Sequence, residues 1–147
     1  MALSQLGYYI TLSIFGQNTL DKRPFKIGFM NTMALTIYHN PRCSKSRQTL
    51  ALIEASGVQV VVILYLETPP TCAELAKLLK KLGMAPRDLL RRGEADYKTL
   101  KLSDMTLDDS SIIQAMSEYP KLIERPIVVS GSRAVIGRPP ENVNVLL

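Results

Sequence analysis

Val58 to Leu66 is almost continuously apolar and β-branched, with Gly57 before it and Thr68-Pro69-Pro70 closing it off. Such a run reads as a strand covered on both faces, the pattern of a parallel sheet. What precedes it agrees. Residues 34–38 alternate and are rich in strand formers. His39-Asn40-Pro41 ends them, because Pro41 has no N–H to donate and holds Asn40 extended. A helix over 44–56 follows, with Leu50 and Ile53 on one face and Gly57 as its stop. Strand, helix and strand in that order imply a parallel pair with a right-handed crossover.

Beyond the prolines, Thr71 and Glu74 make a capping box, and Leu75, Leu78, Leu79 and Leu82 recur at helical spacing up to Gly83. Residues 86–118 read as short helices. Pro86 opens one, Asp108 caps another that carries Ile112, Ile113 and Met116, and Pro120 closes the stretch. Pro126-Ile127-Val128-Val129 and Ala134-Val135-Ile136 form a strand pair around Gly131-Ser132. A final helix starts at Pro139-Pro140. The expected fold class is α/β: a thioredoxin-like mixed four-stranded sheet flanked by helices, with a helical insertion before the third strand.

Residues 1–33 stand apart from this 34–147 domain. They hold an apolar part around Tyr8 to Phe15 and a polar stretch over 17–26. No Lys or Arg precedes the apolar part and no small-residue cleavage site follows it, so no secretory signal is expected there. It reads as an N-terminal extension: an added strand, or a stretch ahead of a true start at Met30 or Met33. No catalytic role is expected of it.

Composition removes several function classes. Two cysteines and one histidine in 147 residues are too few for a disulfide scaffold or a zinc centre, so no metal is expected. No apolar run reaches the roughly 18–20 residues that cross a bilayer, and a cytoplasmic location without membrane contact is expected. The net charge of +5 comes from scattered residues and Trp is absent, which suits a small anion better than nucleic acid.

Cys43 follows the first strand where the chain turns into the first helix. Free N–H groups and the positive end of the helix dipole stabilise an anion there. Arg42, Lys45, Arg47 and His39 lie within four positions. A thiol in such a place has its pKa lowered, so Cys43 is the candidate nucleophile. Cys72 lies in the first turn of the Thr71 helix without cations around it and is read as inert. Ser46, three residues after Cys43, leaves a Cys-x-x-Ser arrangement that needs an external thiol for reduction. Asn40 and Ser46 are candidate hydrogen-bond donors to the thiolate or a bound anion, and His39 is expected to support the loop.

The segment Ile37-Tyr38-His39-Asn40-Pro41-Arg42-Cys43-Ser44-Lys45-Ser46-Arg47 resembles the active-site loop of glutathione/glutaredoxin-dependent arsenate reductases. The resemblance continues in order through Tyr65-Leu66-Glu67-Thr68-Pro69-Pro70-Thr71, Leu89-Leu90-Arg91-Arg92, Glu124-Arg125-Pro126-Ile127-Val128-Val129 and Gly137-Arg138-Pro139-Pro140-Glu141. It implies a thioredoxin-like fold, an oxyanion held by Arg91, Arg125 and Arg138, and a cis bond before Pro126. It also implies glutathione as co-substrate, glutaredoxin as partner and no bound cofactor. Guanidinium suits the task because its planar fork binds two oxygens of a tetrahedral anion at once. Two other functions fit the same scaffold. One is a monothiol thiol–disulfide oxidoreductase. The other is an Spx-like regulator binding RNA polymerase, although Ser46 removes the second thiol of the Cys-x-x-Cys switch usual there.

Overall fold

A computed structural model of the chain describes residues 34–147; the extension over residues 1–33 lies outside the described residues. Strand β1 (Leu35–His39) leads into helix α1 (Ser44–Ala55) and strand β2 (Val60–Leu64). Helix α2 (Cys72–Leu82) follows, then a 3-10 turn (Pro86–Leu89), α3 (Ala95–Thr99), α4 (Asp109–Glu118) and a second 3-10 turn (Pro120–Leu122). Strands β3 (Ile127–Ser130) and β4 (Arg133–Ile136) close the sheet before a last 3-10 segment (Pro140–Leu146). The sheet order is β2-β1-β3-β4. β1 runs parallel to β2, with Leu35 opposite Val60 and His39 opposite Leu64, and antiparallel to β3, with Ile37 opposite Val128. This is the mixed four-stranded thioredoxin-like sheet that the sequence implies.

Period-2 alternation divides the core between the two faces of the sheet. Leu35 and Ile37 of β1 and Val128 of β3 pack with Ile53 of α1 and with Val143 and Leu146 of the last segment. Ile127 and Val129 point the other way and join Leu75 and Leu79 of α2, Ile112 and Met116 of α4, and Leu89. The sheet is thus gripped from both sides, and the carboxyl end of β1 emerges between the two layers.

One sequence expectation needs correcting. β2 is not covered on both faces: Val61 is 53% and Val62 42% exposed, because β2 stands at the end of the sheet order and pairs with β1 alone among the described strands. An unbroken apolar run cannot by itself distinguish a central strand from one at the margin. The closing helix forms where it is expected, from Pro140 to Leu146, and winds as a 3-10 helix. The stop signals hold, since Gly57 and Gly83 adopt φ of +76° and +64° just beyond their helices. Among the described residues no helix is long and apolar enough to cross a membrane, and no three His, Cys, Asp or Glu side chains gather as a metal site would require.

Candidate active site

The turn between β1 and α1 is fastened from inside. The Asn40 carbonyl accepts from the Cys43 N–H at 3.0 Å, and its side-chain Oδ1 accepts from the Arg42 N–H at 3.0 Å. Ser46 is fully buried; its Oγ accepts from the Asn40 N–H at 3.0 Å and lies 2.7 Å from His39 Nδ1. The Ser46 hydroxyl is therefore spent on the loop, and it is the Ser46 backbone N–H that serves the sulfur. Burial, and then the charge of Arg47, hold the His39 pKa below its ordinary value, against smaller upward pulls from Glu54 and Ser46. His39 is thus neutral at pH 7, anchoring the turn through Ser46 rather than adding to the positive potential.

Cys43 occupies the N-cap of α1 in an extended conformation, with φ −94° and ψ 121°. No side chain caps this helix, and its first turn holds no acidic residue. Partial burial is the largest influence on the thiol and pushes its pKa up. The Ser46 N–H, the charges of Arg138 and Arg125, and the Lys45 N–H together outweigh it, so the net shift is downward. The thiolate is more accessible here than at an ordinary cysteine.

Three remote segments deliver the guanidiniums. Arg91 emerges where residues 89–91 lie antiparallel to 122–124: its N–H donates to the Leu122 carbonyl at 2.8 Å, and the Glu124 N–H donates to Leu89 at 2.9 Å. Arg125 stands before the Pro126 peptide, which is cis, as is the bond between Arg138 and Pro139. Gly137 packs so tightly that a Cβ there would lie 2.3 Å from Thr49 Oγ1 and 2.8 Å from Pro126 Cγ. That close approach brings Arg138 onto the cysteine. Its Nη2 lies 3.5 Å from Cys43 Sγ, while its Nε donates to the Arg125 carbonyl at 2.9 Å.

Residues 38–146, which hold the cysteine and all three arginines, match a family profile described as the ArsC family. The chain belongs to the ArsC family. A relative named arsenate reductase, from Haemophilus influenzae, is 47% identical over 116 residues, 78% of this chain and 100% of that protein. YfgD of Escherichia coli K12, which bears no functional name, is 56% identical over 113 residues, 76% of this chain and 95% of its own. The solved structure of arsenate reductase from Vibrio cholerae is similar with a TM-score of 0.76 at 52% identity, covering 78% of this chain and 98% of that one.

In this ArsC-family chain the predicted residues are not all equivalent. Cys43, Arg125 and Arg138 share one electrostatic neighbourhood. Arg91 joins it through carboxylates: it pairs with Glu94, and its Nε lies 3.5 Å from Glu124 Oε1. Glu124 Oε2 in turn lies 3.2 Å from Arg138 Nε, and Glu94 Oε1 lies 3.8 Å from Arg125 Nη1. A cleft of about 250 Å³ opens beside Arg91 and Arg125, lined among others by Asn40, Arg42, Tyr65 and Glu94, while Cys43 and Arg138 stand outside its lining. Nε and Nη1 of Arg125 are buried without a hydrogen-bond partner among the described residues. Unsatisfied guanidinium donors at a cleft constitute a receptor for an anion.

Sequence reasoning missed Glu94, Glu124 and Tyr65 as site residues. Glu124 and Tyr65 stood inside the motifs that carry the resemblance, whereas nothing in the sequence singles out Glu94. Burial raises the Tyr65 pKa to about 12, helped by the charges of Cys43 and Glu124 and opposed by Arg125 and the neighbouring Asn40 amide. The phenol stays protonated, and its buried hydroxyl makes no hydrogen bond within the described residues. Cys72 is exposed at the start of α2.

Proposed function

We propose that this chain is an arsenate reductase acting through Cys43, with glutathione as co-substrate and glutaredoxin as partner in a reducing, cytoplasmic setting. The observation that carries this reading is the 3.5 Å approach of Arg138 Nη2 to Cys43 Sγ at a helix start left without a side-chain cap. A thiolate held there is a nucleophile, and Arg125, Arg138 and Arg91 supply the donors that a tetrahedral oxyanion needs. The relatives named arsenate reductase favour arsenate as that oxyanion.

The thiolate attacks arsenic and an S–As bond forms as one arsenate oxygen leaves as water. Arg138, beside the sulfur, neutralises charge gathering on the remaining oxygens. Glutathione thiolate then attacks the Cys43 sulfur. The S–As bond breaks with its electron pair passing to arsenic, which leaves as arsenite, and Cys43 is left in a mixed disulfide with glutathione. Glutaredoxin thiolate removes that glutathione and restores Cys43. Ser46 in place of a second cysteine accords with reduction by an outside thiol. Asn40 and His39 hold the loop, and Pro126 fixes where Arg125 leaves the sheet.

The test is an assay coupling arsenate reduction to glutathione and glutaredoxin, run beside Cys43→Ser. Arsenite formation by the native chain and its loss in the variant are expected. Glutathione–disulfide exchange that persists after Arg91, Arg125 and Arg138 are replaced, without arsenate turnover, would assign the chain to the monothiol oxidoreductases instead.

A further inference from the structure

The two carboxylates among the arginines engage them from different sides. Glu124 lies against the Nε atoms of Arg91 and Arg138, at 3.5 and 3.2 Å, and its own N–H is tied into the main-chain bridge to Leu89. These are the stem-side nitrogens, so Glu124 attracts both guanidiniums from behind without covering their tips; the single Nε hydrogen of Arg138 itself goes to the Arg125 carbonyl. Glu94 engages the tips. Its Oε1 pairs with Arg91 Nη1 and lies 3.8 Å from Arg125 Nη1. Glu94 also lines the cleft that Arg91 and Arg125 line.

The backbone gives Glu94 no other employment. It sits at the N-cap of α3 and makes no capping hydrogen bond, so its carboxylate is free of the helix start. Its carboxylate turns instead to the terminal nitrogens that an incoming oxyanion must use. A carboxylate paired with one guanidinium tip and standing 3.8 Å from a second, near enough to attract it but too far to satisfy it, presents the same charge and planar oxygens as the edge of an oxyanion.

We infer that Glu94 is a resident counter-anion of the arginine cleft, displaced when the oxyanion binds, and so a residue that sets affinity and selectivity. The inference rests on the oxyanion reading of the site. A singly charged anion gains little by replacing a carboxylate already attached to the chain. A doubly charged tetrahedral anion brings more charge and more oxygens to the two tips than one carboxylate oxygen does, and so wins the exchange. Glu94 and Glu124 accordingly have opposite effects: removing the first strengthens anion binding, and removing the second weakens it by loosening the guanidiniums.

The experiment measures protection of Cys43 from iodoacetamide by inorganic phosphate, a tetrahedral anion that glutathione does not reduce, in the native chain, Glu94→Gln and Glu124→Gln. Phosphate is expected to protect Glu94→Gln at roughly fivefold lower concentration, and Glu124→Gln only at higher concentration. In arsenate turnover Glu94→Gln is expected to lower KM while leaving kcat nearly unchanged. Unchanged or weaker phosphate protection of Glu94→Gln overturns the inference, and so does equal tightening in both variants, which would report bulk charge alone. If the native chain turns over no arsenate yet Glu94→Gln tightens phosphate, the reductase reading falls and the role of Glu94 stands.

Discussion

Helices α1 and α2 each have a cysteine at their start, Cys43 as the N-cap of α1 and Cys72 just inside the Thr71 cap of α2, and the two starts are finished in opposite ways. At α2 the Thr71 hydroxyl accepts from the Glu74 N–H at 3.2 Å, and the Glu74 carboxylate accepts from the Thr71 N–H at 2.8 Å. Lys80 and Lys81 complement the far end. At α1 no side chain caps the start, no acid stands in the first turn and no base in the last. By every local rule α2 is the better helix. The helix start left unfinished is the one where N–H groups remain available to a sulfur, and it is there that the arginines converge. Stability has been given up at α1 and kept at α2, and chemistry follows the former.

Replacing Cys43 by Ser breaks this contrast most severely. Arsenate turnover should fall by at least about a thousandfold. The same hydroxyl can cap α1, so thermal or urea unfolding should show the variant more stable by roughly 0.5–1 kcal/mol. Loss of activity together with loss of stability would contradict the idea that α1 is left uncapped for the thiolate.

Gly137→Ala comes next. The added methyl meets Thr49 of α1 and Pro126 within 3 Å, and overpacking of this kind costs about 2 kcal/mol. Calorimetry should show the lower Tm, and reactivity at Cys43 should fall as Arg138 is moved away. Arg138→Gln sharpens the comparison electrostatically. Removing a charge that lowers the Cys43 pKa raises that pKa, so less thiolate is present at pH 7 and the alkylation profile moves to higher pH. Iodoacetamide labelling of Cys43 at pH 7 should slow by about three- to tenfold, with that of Cys72 unchanged. Smallest is Thr71→Ala. It removes the box at α2 and should cost about 1 kcal/mol in urea unfolding while leaving turnover intact.

Local signals made much of this legible from sequence. The capping box, the glycine stops, the Pro41 break and the cysteine at a strand-to-helix turn each act over a few residues, and the structure forms each where the sequence places it. The covering of β2 could not be read, since Val61 and Val62 look the same in a central strand as in a marginal one. The arginine cluster was legible only through the family resemblance: positions 91, 125 and 138 have no spacing rule joining them, and tertiary packing alone brings them together. Glu94 was invisible for a further reason. It lies outside every motif that carries the resemblance, and only the direction of its side chain places it among the arginines.

The paired hydrogen bonds joining Arg91 to Leu122 and Glu124 to Leu89 have a consequence for how the molecule fails on warming. They are the clasp by which the helical insertion holds its arginine beside the two carried by the sheet. Helices as brief as α3 melt out before a packed sheet does. Amide exchange at Arg91 and Glu124 should therefore track the onset of inactivation, at temperatures where Ile37 and Val128 still exchange as slowly as the intact domain.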